Sequence, residues 1–191
     1  MIGPTRVAPS RRIRMVLPMV VFLLFSCAST QKEKTESRDA EFYNNRGIAY
    51  GNEGLYDQAI LDYSKALEIN PRYGEAYNNR GVVYRRKGQY DRAISDYNRA
   101  LEINPRDVEA YNNRGVAYFD KGQYSQAISD YNKALEIDPD FAGAHYARGI
   151  CYYYEKQYEK SWQDIHRAQE LGLKMPAEFL DDLRRASGRG K

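Results

Sequence analysis

Few side chains in this sequence could carry acid–base, nucleophilic or metal chemistry. The 191-residue chain has two histidines, His145 and His166, and two cysteines, Cys27 and Cys151. Neither histidine has a companion at the spacing of a metal site or of a catalytic triad. The glycines recur at a regular interval and do not cluster as a phosphate-binding loop. The sequence therefore predicts no catalytic residue, no metal site and no cofactor.

Paired asparagines indicate a different chemistry, the holding of a polypeptide main chain. An asparagine amide presents a donor and an acceptor together, so a row of amides can hold an extended peptide without reading its side chains. The pairs are Asn44 and Asn45, Asn78 and Asn79, Asn112 and Asn113. Further along lie basic and aromatic residues suited to the same contact: Arg85, Arg86, Phe119, Tyr146, Tyr153 and Tyr154. The alternative is that the asparagines only satisfy neighbouring helices or solvent.

These residues belong to a 34-residue repeat, which must position them. Its units are residues 40–73, 74–107, 108–141 and a more divergent 142–175. The landmarks of the first unit are Tyr43, Gly47, Tyr50, Ala59, Tyr63, Ala66 and Pro71. The first three landmarks, and likewise the next three, are spaced by four and then three residues, which places each group of three on one face of a helix. We therefore expect two amphipathic helices per unit, with small residues at their close contacts and tyrosines around them.

Glycines and charges add detail to each unit. Glycines fall where the first helix should stop, and short polar residues three positions later could cap the second helix. The glycines are Gly54, Gly88 and Gly122, and the candidate caps are Asp57, Asp91 and Ser125. Each unit also has an arginine followed sixteen residues later by an aspartate: Arg46 and Asp62, Arg80 and Asp96, Arg114 and Asp130, Arg148 and Asp164. Half-buried charges need partners, so we expect an Arg–Asp ladder with a structural role.

The landmarks resemble those of the tetratricopeptide repeat (TPR) family over residues 40 to about 172. The one consistent departure is the position before the first glycine, usually leucine, which is arginine here. The resemblance implies an all-α solenoid of four helix-turn-helix repeats whose concave side, lined by the first helices, binds other proteins. We expect the asparagine row in this groove. The chaperone-tail clamp of some TPR proteins matches poorly, because its lysine and arginine positions hold Asn44, Glu109 and Asn113, and only Asn79 agrees.

The fourth unit differs, as expected of a terminal repeat. It has His145 and Ile165 in place of tyrosines, Ser161 in place of alanine, and no proline at its end. A last helix at 176–186 should cap the stack, and the tail at 187–191 should fray.

The chain begins with a basic and then apolar segment. The apolar run, residues 15–25, is too short for a membrane span of about 20 residues and has the order of a secretory signal. It ends in Leu-Phe-Ser-Cys27, which resembles the bacterial lipobox. That resemblance implies a signal peptide at 1–26 and a lipidated Cys27 followed by a flexible linker at 27–39. No aspartate follows Cys27, so we expect an outer-membrane anchor facing the periplasm. An uncleaved signal anchor or a plain signal peptide are the alternatives.

Charge argues against a nucleic-acid role. Four of the 29 basic residues and none of the 26 acidic residues precede Cys27, so the mature chain is close to neutral. With Cys27 lipidated, Cys151 has no disulfide partner and reads as a small buried residue.

We therefore predict a non-enzymatic, lipid-anchored adaptor that binds an extended segment of a partner protein. The resemblance implies roles in assembling envelope machines or in recruiting cell-wall enzymes. Self-association through exposed repeat edges, and an accessory role that recruits an envelope enzyme, are the alternatives.

Overall fold

A computed structural model describes residues 38–189, and within that range the chain forms nine helices and no strand. The predicted signal peptide, Cys27 and most of the linker lie outside the described residues. Residues 38 and 39, which the sequence assigned to the linker, are already helical. The helices are residues 38–52 (α1), Tyr56–Ile69 (α2), Gly74–Arg86 (α3), Tyr90–Ile103 (α4), Val108–Asp120 (α5), Tyr124–Ile137 (α6), Ala142–Tyr154 (α7), Tyr158–Glu170 (α8) and Ala177–Ala186 (α9).

The helices stack as consecutive hairpins. From α3 onward, each first helix packs most extensively on the second helix of its own unit and next on the second helix of the preceding unit. First helices of neighbouring units also touch, α3 with α5 and α5 with α7. The predicted all-α solenoid is therefore confirmed. No helix in residues 38–189 is both long and apolar enough to cross a bilayer.

Each of the first three hairpins closes on a contact between a glycine and a tyrosine ring. A Cβ added at Gly47, Gly81 or Gly115 would lie 2.7 Å from Cε1 of Tyr63, Tyr97 or Tyr131, respectively. The tyrosines are almost fully buried, and burial raises the pKa of Tyr63 to about 12. The expected pairing of small and large residues is confirmed.

The Arg–Asp ladder is also confirmed, and it joins three helices at each inner step. Arg80 on α3 donates from Nε to Asp96 Oδ2 and from Nη2 to Asp96 Oδ1, both at 2.8 Å, and from Nη1 to Ser64 Oγ on α2 at 3.0 Å. Burial alone would lower the pKa of Arg80, but the hydrogen bonds and charge of Asp96 outweigh it and raise the pKa. Arg114 and Arg148 repeat the arrangement with Asn98 and Asn132 on the preceding unit.

The helix ends match the sequence prediction in part. Gly54, Gly88 and Gly122 have φ of +77°, +72° and +72°, the left-handed conformation expected after a helix. The predicted caps are wrong, because Leu55, Gln89 and Gln123 occupy the cap position and none of them caps the helix with its side chain. Asp57 and Asp91 instead bond to Lys87 and Lys121 in the next unit.

Helix α9 takes the place that the first helix of a fifth unit would occupy. Leu183 lies at the position held by glycine in the other units and is fully buried. Arg189 bonds to Glu159 at 2.6 Å, as Lys121 bonds to Asp91 two repeats earlier. Trp162 Nε1 donates to Ser187 Oγ at 3.0 Å. The cap is therefore as predicted, but Ser187 and Arg189 are tied to α8 and do not fray.

Candidate peptide-binding groove

The first helices of the four units, α1, α3, α5 and α7, line one face of the array, and two openings lie on this face. The opening between α1 and α3 has a volume of about 110 Å³ and a mixed lining: Ile48, Gly51, Asn52, Tyr63, Asn79, Val82, Val83 and Arg86. The opening between α5 and α7 has a volume of about 220 Å³ and is mainly apolar: Val116, Phe119, Asp120, Tyr131, Tyr146, Ala147 and Ile150. Four of the predicted site residues thus line these openings. We call this face the concave groove.

The asparagines form hydrogen-bonded pairs between neighbouring units. Asn79 Nδ2 donates to Asn44 Oδ1 at 3.2 Å, and Asn113 Nδ2 donates to Asn78 Oδ1 at 3.1 Å. Each pair joins the first helix of one unit to that of the next. The amides therefore stabilise the stacking of the units, which is part of what the alternative reading expected.

Asn44 is a correction to the predicted site. Its side chain has 0% exposure, and it donates to Glu75 Oε1 at 3.2 Å while accepting from Asn79. A buried amide must be satisfied from within the fold, and Asn44 is satisfied in this way. It therefore has a structural role and cannot touch a bound peptide.

The other asparagines keep hydrogen-bonding capacity. Asn79 and Asn113 are half-buried, and among residues 38–189 each leaves its carbonyl oxygen and one N–H unpaired. Asn45 is exposed and Asn112 half-buried, and neither side chain has a hydrogen bond within that range. Asn78 accepts from Asn113 and has no acceptor there for its own amide hydrogens. That these groups bind a peptide stays a prediction.

The two arginines differ in availability. Arg85 donates from Nη1 to Asp120 Oδ2 at 3.0 Å, and its side chain is 29% exposed. Its Nε is buried without an acceptor in the described residues. Arg86 is exposed and, in the same residues, forms no ion pair. Arg86 is therefore the better of the two for contacting an acidic group.

Aromatic side chains gather at the C-terminal half of the array. Phe119 lies 5.6 Å from Tyr154, between ring centroids, and Tyr154 stacks on Tyr124 at 5.0 Å. Tyr154 remains 52% exposed. Tyr146 and Tyr153 pack edge-on against Phe179 of α9, so the cap covers part of both rings. These rings lie together and Tyr154 is the exposed one among them, while their contact with a bound peptide stays a prediction.

The comparison with family models decides the repeat type. Tetratricopeptide repeat models match residues 40–73 and 108–141, and 63–95 and 130–163, and a TPR repeat model matches 83–122. The chain is built of tetratricopeptide repeats. A comparison with curated protein sequences found no match.

Solved TPR structures share this architecture. A crystal structure of MamA is 25% identical, covers 72% of this chain and 81% of its own, and has a TM-score of 0.66. The first TPR domain of Spaghetti (RPAP3), bound to the HSP90 peptide SRMEEVD, is 29% identical, covers 62% and 94%, and scores 0.61. PilF of Pseudomonas aeruginosa covers 81% and 72% with a TM-score of 0.73, but at 21% identity it shows the fold alone.

Sequence reasoning missed some groove residues, namely Asn52, Asp120, Ala147 and Ile150. A signal for Asp120 was present: it follows Arg85 by 35 residues, the same separation that joins Asn44 to Asn79 and Asn78 to Asn113. Residues one TPR plus one position apart thus face each other across neighbouring first helices.

His145 and the buried cysteine have structural positions. His145 lies between Asp164 Oδ1 and the Pro139 carbonyl oxygen, 3.0 Å from each. Cys151 is fully buried, and burial raises the pKa of its thiol to about 12, which disfavours the reactive thiolate. Within residues 38–189 no group of three or more His, Cys, Asp or Glu could hold a metal ion.

Proposed function

We propose that this TPR protein is a non-enzymatic adaptor that binds an extended segment of a partner protein in its concave groove. The observation that carries the proposal is the state of Asn79 and Asn113. Both amides are fixed in orientation by one bond to the preceding unit, and both keep a donor and an acceptor for a further partner. Fixed, half-satisfied amides at repeat spacing are suited to a peptide main chain, since their ordering cost has already been met by the fold.

One solved relative supports this use of the groove, because the Spaghetti (RPAP3) domain is bound to a peptide. The ligand chemistry here should differ from that of a chaperone-tail clamp. The clamp's basic positions hold a buried Asn44, together with Glu109 and Asn113. We therefore expect the asparagine side chains to bind the main-chain amides of the peptide and Arg86 to contact an acidic group, without capture of a C-terminal carboxylate.

The test is recovery of partners from a bacterial envelope extract. The baits are the wild-type chain and a variant with Asn45, Asn79 and Asn113 all changed to alanine. Truncating the two paired asparagines removes one hydrogen bond each, worth about 1 kcal/mol, so thermal unfolding must show that the variant is folded. A matched control changes Ser95, Gln126 and Ser129 to alanine, because these residues are exposed on second helices and lack hydrogen bonds within residues 38–189.

We expect the groove variant to lose partners that the wild-type and control baits both recover. Equal recovery by all three baits would remove the asparagine row from the proposal.

We also propose that the adaptor is held at the bacterial envelope, in the outer membrane facing the periplasm, by lipid on Cys27. The support is the charged and then apolar leader ending at that cysteine. A single acyl chain anchors only marginally, so several chains are needed for stable binding. Fractionation of cells expressing Cys27→Ser should find the protein released from membranes, and unchanged retention would count against lipidation.

A further inference from the structure

The junction between the third and fourth units differs from the two junctions before it. In those, an asparagine of the later unit donates to an asparagine of the earlier one. At the third junction the equivalent position holds Ala147, so Asn112 has no hydrogen-bond partner among residues 38–189. The space beside this alanine is part of the opening of about 220 Å³ between α5 and α7. We call this opening the anchor pocket.

The lining of the anchor pocket selects an apolar occupant. Val116, Ala147 and Ile150 form aliphatic walls, and Phe119 and Tyr146 add aromatic rings. The one charged residue in the lining, Asp120, is engaged by Arg85. Because the lining is mainly apolar, a charged or polar side chain placed there would lose more hydration than the lining could replace. An aromatic side chain would bury about 150–250 Å² and could pack edge-on against the rings already present.

The opening at the other end of the groove selects a different group. Asn52, Asn79 and Arg86 line it, and Arg86 is an exposed cation without an ion pair in the described residues. Packed helices lie about 8–10 Å apart, so two repeats separate the openings by roughly 20 Å. An extended segment rises about 3.3 Å per residue and would cross this gap in about six residues.

We infer that the anchor pocket receives one large apolar side chain, best an aromatic one, from a partner segment that places an acidic residue near Arg86 about six positions away. This rests on the proposed function and deepens it, because it assigns the class of peptide that the groove takes. The asparagines between the two openings hold the main chain, and the anchor and the acidic residue set specificity.

The test selects peptides from a random 12-residue phage library on the full chain held in lipid nanodiscs, with empty nanodiscs for counter-selection. We expect the recovered peptides to share one Phe, Trp, Tyr or Leu with an acidic residue about six positions away. Replacing the shared apolar residue by alanine in a fluorescent peptide should weaken binding about tenfold or more, measured by anisotropy.

The key variant is Ala147→Asn, which fills the pocket with the residue that the second and third units carry at this position. We expect it to bind the selected peptide and its alanine version equally, within about twofold. Ala147→Leu fills the same space without an amide and serves as a second variant if the first is unstable. Ser129→Ala is the control, because Ser129 is exposed on the second helix α6 and has no hydrogen bond within residues 38–189, and it should keep the tenfold preference.

The outcomes separate this inference from the proposed function. Binders without a shared large apolar residue, or a preference that survives both pocket-filling variants, would overturn the anchor pocket and leave the groove as a peptide site. A library that yields no binder at all would overturn both.

Discussion

At the scale of the residue, the approach of two helices depends on a missing methyl group. The Gly81 position lies so close to the ring of Tyr97 that an added Cβ would meet Cε1 at 2.7 Å. The ring is buried and cannot swing away. In the fourth unit the same position, Gly149, faces the end of a flexible side chain, Ile165 Cδ1, at 3.0 Å. The four units therefore offer two versions of one contact, with tyrosine in the first three and isoleucine in the fourth.

We predict that Gly81→Ala lowers the free energy of unfolding by about 2 kcal/mol, because overpacking outweighs the gain in helix propensity. Gly149→Ala should cost at least about 1 kcal/mol less, since the Ile165 methyl can rotate away. Urea unfolding of both variants measures the difference. Equal losses would show that the ring is not what makes the glycine necessary.

Two buried acidic groups, the Cys151 thiol and the Tyr63 phenol, should make the protein less stable at high pH. Burial raises the pKa of Cys151 from 9.0 to about 12 and that of Tyr63 from 10.0 to about 12. The unfolded chain therefore releases these protons first, so stability is complete below pH 9 and falls as the pH rises toward 12. Cys151 alone should account for about 1 kcal/mol by pH 10.

The matched variant for this pH dependence is Cys151→Ala, since the first and third units have alanine at the equivalent position, Ala49 and Ala117. Urea midpoints measured from pH 8 to pH 10 should fall less in the variant than in the wild-type chain. Parallel curves would mean that the thiol does not limit stability in this range.

At the scale of the element, the turn between the two helices of each unit is the sensitive point. Three units place glycine there at positive φ, whereas the fourth has Lys156 at φ 59°. A residue other than glycine pays about 1–2 kcal/mol to adopt the left-handed conformation. Replacing it by glycine removes this cost, but part of the gain is offset because glycine has more conformational freedom in the unfolded chain. The Lys156 side chain is exposed and has no hydrogen bond within residues 38–189.

We predict that Lys156→Gly stabilises the protein by about 0.5–1 kcal/mol, and that the mirror change Gly122→Lys destabilises it by about 1 kcal/mol. Thermal and urea unfolding measure both. A loss of stability in the Lys156→Gly variant would show that the turn carries no strain.

The elements also show what could be read from the sequence. Helix number, the glycine stops and the Arg–Asp ladder follow from spacing within one unit, so they were predictable. The failed caps and the buried Asn44 depend on the next unit, because Asp57 bonds to Lys87 and Asn44 is covered by Glu75 and Asn79. A single repeat cannot show which of two adjacent polar residues its neighbour will bury.

At the scale of the whole molecule, the two ends of the array do not fit each other. Units 2 to 4 bury Ala76, Ala110 and Ala144 against the unit before them, whereas the first unit has Phe42, 57% exposed, at that position. Helix α9 already occupies the position after the fourth unit. In a head-to-tail stack, Glu53 of one copy would take the place of Arg189 and face Glu159 of the next. Bulk and like charge therefore oppose continued stacking.

We accordingly predict that residues 28–191, without the leader and Cys27, are monomeric at micromolar concentration in light scattering coupled to size exclusion. Truncation after Leu173 should instead cause concentration-dependent aggregation, because it uncovers Trp162, Tyr146 and Tyr153, which α9 now packs against. The truncated chain should not form regular head-to-tail filaments, since Phe42 still blocks the stacking face. If the chain of residues 28–191 instead dimerises through its ends, self-association would be favoured over the adaptor function. Phe42 would then have to fit a complementary pocket on the fourth unit of the second copy.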